Sequence, residues 1–119
     1  GGRASLDWRI LDGEFSKPQA RALTNLAYLA VGALPMGGSA VIRSRTEAGW
    51  LHLEGLAEGA RARLKPEAVV GLAGERLTEG LAGQWIQPYW LWLTVTEAGG
   101  ALHVEVDDGK VALAARMPA

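Results

Sequence analysis

The chain has 119 residues, 49% of them apolar and 21% charged, with no cysteine. Twelve basic residues against 13 acidic ones leave a formal charge of -1, so no field exists to gather a nucleic-acid backbone or an anionic membrane. The lack of cysteine excludes disulfides, thiolate nucleophiles and cysteine-type zinc sites. A chain of this size predicts one domain, residues 1–119, that buries roughly two-thirds of the surface its unfolded form exposes.

The most apolar stretches, Leu26 to Leu34 and Tyr89 to Val95, are far shorter than the roughly 20 residues a membrane helix needs. The expectation is a soluble protein with no membrane partner, for which a reducing cytoplasm fits. Ser5 to Ile10 alternates Leu6, Trp8 and Ile10 with polar residues, the period of a half-buried strand, and Leu11 to Glu14 supply a turn. Ser16 or Lys17 can cap a helix that tolerates Pro18 in its first turn. Leu23, Leu26, Ala27, Ala30 and Leu34 fall at helical spacing, and Leu29, Val31 and Ala33 make the opposite face apolar too, so this helix is predicted to be buried and to reach about Leu34.

Pro35, Gly37 and Gly38 end it. Ala40 to Arg45 and Trp50 to Leu53 read as a hairpin around Glu47, Ala48 and Gly49. Pro66 to Leu72 reads as one short helix and Leu77 to Leu81 as a second. Ala101 to Val106 and Lys110 to Arg116 alternate around Asp107, Asp108 and Gly109, where Asp-Gly marks a hairpin. The segment 89–98 is ambiguous: its aromatic and β-branched residues favour a strand, whereas Pro88 as a first-turn residue, the spacing of Trp90, Val95 and Ala98, and Gly99 as a cap favour a helix.

Three landmarks carry a family resemblance: ARALTNLAYLAVGALPMGG at 20–38, IQPYW at 86–90 and EAGGALHVEV at 97–106. Their order and spacing resemble the C-terminal domain of the ChpT-type histidine phosphotransferases, itself similar to the ATP-binding domain of histidine kinases and gyrase. The resemblance settles 89–98 as helix. It implies an α/β (α+β) two-layer sandwich, a mixed sheet of about five strands with helices on one face, and the fold of a degenerate histidine-kinase ATPase domain.

The kinase pattern holds two asparagines on its first helix, the second a magnesium ligand. Asn25 matches the first, but Leu29 occupies the second. The kinase aspartate that bonds adenine falls at Gly55, or one place earlier at Glu54. The glycine-rich phosphate loop corresponds to Trp85, Ile86, Gln87 and Pro88, whose bulk and missing N–H cannot cradle phosphate as glycine backbone does. Asn25, Leu29, Glu54, Gly55, Gln87 and Pro88 are therefore the degenerate nucleotide-site positions, and the expectation is no cofactor, no metal and no catalytic residue.

The resemblance further implies a bacterial two-component phosphorelay. A helical hairpin outside these residues would supply the acceptor histidine and the homodimer contacts, and this domain would dock response-regulator receiver domains. Rival readings are a divergent ATP-binding domain and a stand-alone regulator-binding adaptor. His52 and His103 fall at polar positions of alternating strands and read as solvated rather than as acceptors; with Arg43, Arg45, Glu54 and Glu105 they would form an outward polar face. Asp107 and Asp108 read as turn residues, and Trp50, Trp85, Trp90 and Trp92 as core or packing residues, of which an exposed one would be a natural interface anchor.

Overall fold

The computed structural model of the chain describes residues 3–11 and 13–119; the turn expected at 11–14 includes Asp12, which lies outside them. Five strands, β1 (Ala4–Ile10), β2 (Gly38–Glu47), β3 (Trp50–Glu58), β4 (Ala101–Asp107) and β5 (Lys110–Pro118), and three helices, α1 (Lys17–Gly32), α2 (Pro66–Leu72) and α3 (Ala82–Glu97), follow in the order β1-α1-β2-β3-α2-α3-β4-β5. They form the mixed two-layer sandwich expected from the sequence. The sheet order is β1-β2-β3-β5-β4, with β1 parallel to β2 and the other pairs antiparallel.

Period-two alternation divides the sheet into two faces. Ala40, Ile42, Leu51, Leu53, Val111, Leu113, Ala115 and Met117 are buried on the helix-facing side. There they meet Leu26, Leu91 and Val95 of the helices. Each large side chain so buried contributes about 1.5–3 kcal/mol. Among the described residues no helix covers the opposite face, whose positions carry Arg43, Arg45, His52, Glu54, His103 and Glu105.

α1 starts on a complete capping box. Ser16 Oγ accepts from the Gln19 N–H at 3.2 Å, and Gln19 Oε1 accepts from the Ser16 N–H at 2.9 Å. This satisfies donors that the first helical turn leaves open. The helix stops at Gly32, two residues earlier than its apolar spacing suggests, with Ala33 as its cap. Between β2 and β3 the turn is only Ala48 and Gly49, both at positive φ, so the strands run longer than the predicted pair and take in Glu54 and Gly55.

Two expectations for the middle of the chain need correction. Leu77 to Leu81 is not a helix: the Glu67 carboxylate accepts the Leu81 N–H at 3.0 Å, and the Trp85 indole donates to the Glu75 carbonyl at 2.9 Å, which fixes an irregular connection. The helix expected at 89–98 exists but begins at Ala82, so Pro88 is interior to α3 rather than in its first turn. Proline there forfeits one i to i−4 hydrogen bond, and burial outweighs that loss: Pro88, Leu91 and Val95 are buried, and Pro88 lies under α2.

Candidate functional site

α1 and α3 meet at positions that the sequence marks as candidate degenerate nucleotide-site residues. Asn25 Nδ2 donates to the Gln87 carbonyl at 2.9 Å, while Asn25 Oδ1 is buried without a partner. Further along α1, Leu29 is 9% exposed and part of the core. Leu29, Gln87 and Pro88 line one cleft of about 210 Å³, together with Tyr28, Arg63, Lys65 and Gln84. That volume lies below the roughly 300–1,000 Å³ of ordinary small-molecule sites.

Of the six positions singled out in the sequence, Asn25, Leu29, Gln87 and Pro88 thus converge. Glu54 and Gly55 do not join them. Gly55 faces α1 from the sheet: a Cβ there would lie 2.7 Å from Leu26 Cδ2 and 3.4 Å from Ala30 Cβ, so the missing side chain lets helix and sheet approach. Glu54, one residue away on the same strand, points to the opposite face, where it lies 3.8 Å from Arg45.

The Trp85–Pro88 segment, expected as a loop ahead of a helix, is the second turn of α3. Its backbone is spent on helical hydrogen bonds and packs against α2. A Cβ on Gly71 of α2 would lie 2.7 Å from the Trp85 carbonyl oxygen and 2.8 Å from the Tyr89 nitrogen. The Trp85 and Tyr89 rings stack at 4.6 Å, and Tyr89 stacks in turn on Trp92 at 5.8 Å. Sequence reasoning missed Arg63 and Lys65, the two cations of the cleft. The signal was the basic run ARARLKP, which leads into the proline that opens α2.

A larger groove of about 530 Å³ lies on the outer side of the α1–α3 contact, lined by Ala20, Arg21, Thr24, Tyr28, Trp90 and Thr94 among others. Tyr28 is 67% and Trp90 58% exposed. Trp90 is therefore not a packing residue. On the bare face of the sheet, His52 is half-buried and His103 exposed; His103 Nε2 lies 3.1 Å from Glu105, and Arg116 sits over the Trp50 ring at 4.8 Å. Among the described residues no three His, Asp or Glu side chains gather as a metal site requires.

This architecture is that of the histidine-kinase ATPase-like domains. The chain superposes on the mycobacterial sensor histidine kinase MprB with a TM-score of 0.68 at 21% identity, covering 97% of this chain and 81% of that one. Full-length ShkA in complex with AMPPNP gives 0.72 at 15% identity, covering 97% and 25%. A bacterial phosphotransferase structure gives 0.83 at 21% identity, covering 95% of this chain and 55% of that one. No curated protein matches the sequence significantly. Residues 1–110 match the family model of the histidine phosphotransferase C-terminal domain, and the chain belongs to that family. It spans about half the length of the phosphotransferase it resembles.

Proposed function

We propose that this domain is the docking half of a histidine phosphotransferase that passes phosphoryl groups between the receiver domains of response regulators in a bacterial, cytoplasmic phosphorelay, without binding ATP. The observation that carries this is the α1–α3 contact: a kinase-like framework keeps Asn25 but puts core Leu29 and helical Gln87–Pro88 where nucleotide chemistry would need polar ligands and open backbone. The acceptor imidazole and the dimer contacts come from a helical hairpin outside these residues. The domain contributes position, since holding an aspartyl phosphate in line with an imidazole accounts for much of the barrier reduction in such transfers. Exposed Tyr28 and Trp90, on either side of the outer groove, are the aromatic type that anchors protein interfaces.

The test is incubation with a phosphorylated receiver, with and without the hairpin joined to the domain. Transfer of label only with the hairpin supports the relay. Stable binding with no transfer in either form makes the domain an adaptor instead. Micromolar binding of ATP and magnesium in calorimetry overturns the reading.

A further inference from the structure

The helical layer stops short of one sheet edge. β1 ends the strand order, and its register sets Leu6 beside Ala40 and Trp8 beside Ile42 on the helix-facing side. Ala40 and Ile42 are fully buried, whereas Leu6 is 43% and Trp8 48% exposed. α1 packs over β2, β3 and β5 and leaves these two side chains open. Among the described residues no strand lies beyond β1, and its seven residues contain no proline and pair with β2 without a bulge. β1 thus lacks two of the devices that blunt sheet edges, a proline and a bulge, and carries only the charged pair Asp7 and Arg9. On its other face Arg9 Nη2 lies 2.8 Å from Asp7 Oδ2, both side chains about half exposed.

We propose that β1 pairs antiparallel with β1 of a second copy, about a two-fold axis at Trp8, joining two sheets into one of ten strands. The segment ASLDWRI is self-complementary in that register. Trp8 faces Trp8 of the second copy, Leu6 faces Ile10, and Asp7 faces Arg9 twice by symmetry. Aromatic, apolar and opposite-charge pairs are the cross-strand contacts that stabilise a sheet. Moving the axis to Asp7 or to Arg9 sets like charges against each other, and a one-residue offset would put apolar side chains opposite charged ones. The other edge, β4, has less apolar surface to cover: Leu102 and Val104 pack against the core, leaving Val106 open, where β1 leaves the larger Leu6 and Trp8. An edge strip lies at the small end of protein interfaces, so the dimer is weak and concentration-dependent.

Sedimentation of the chain across the micromolar range tests this, with circular dichroism to verify folding. The mass is expected to rise from monomer towards dimer. Asp7→Arg and Arg9→Asp alter only exposed side chains, and each alone abolishes the rise. An equimolar mixture of the two restores it as a one-to-one heterodimer, because like charges on one copy then meet opposite charges on the other. A wild type that stays monomeric, single variants that associate as the wild type does, or a mixture that stays monomeric would each overturn the proposal.

Discussion

Leu29 shows what one side chain decides at the α1–α3 contact. It belongs to the core cluster, so Leu29→Asn removes apolar burial and leaves an amide to be satisfied there. A loss of about 2–4 kcal/mol in denaturant unfolding is expected, with no gain of nucleotide binding by calorimetry, because Gln87 and Pro88 still close the far side. Glu67 acts by charge. The Leu81 N–H, its own backbone N–H and nearby Lys65 hold its carboxyl below the usual carboxylate range. A folded pKa below the unfolded one means that the stabilisation is present above the ordinary carboxylate pKa and is lost as pH falls through the folded value. Protection of the Leu81 amide against hydrogen exchange, taken relative to an unstructured amide at the same pH, should therefore fall as the pH drops below the ordinary carboxylate range, and Glu67→Gln should remove that dependence. Helical spacing made Leu29 legible as a buried position, and the resemblance to the kinase pattern marked Asn25. Strand alternation put Glu54 on the outward face, where it lies, but adjacent strand residues point to opposite faces, so an alignment uncertain by one residue could not choose between Gly55 and Glu54.

The α2–α3 pair is the element whose fit was least visible beforehand. α2 packs chiefly on α3 rather than on the sheet, and it does so through Gly71. Gly71→Ala would press a methyl against α3 backbone, which cannot yield as a flexible side chain can; about 1–3 kcal/mol of destabilisation is expected, read as a lower Tm. Gly83→Ala, with nothing within 4 Å of the added carbon, should be neutral or stabilise by up to about 1 kcal/mol. Strands, turns and α1 could be read from the chain because alternation, Asp-Gly and the Ser16 capping box are local signals. α3 could be read only in part: Pro88, taken as a first-turn residue, set its start too late, and the Tyr89–Val95 run argues locally for a strand until burial against α2 and the sheet reverses that vote. Leu77–Leu81 failed for the converse reason: the partners that hold it, Glu67 and Trp85, are distant in sequence.

At the scale of the molecule, the two-layer sandwich was what the family resemblance implied, whereas the order β1-β2-β3-β5-β4 could not be read from the residues, because no local pattern states that β5 lies inside the sheet. That placement gives the C-terminal strand unusual weight. Val111, Leu113, Ala115 and Met117 of β5 are all at most 3% exposed, and β5 bridges β3 and β4 along its length. Truncation before Val111 should abolish cooperative thermal unfolding. During translation the ribosome delivers β4 before the strand that joins it to β3, so β4 has no neighbour to pair with until β5 clears the exit tunnel. Non-local pairing of this kind slows folding, and the nascent domain should stay open to proteases until β5 emerges.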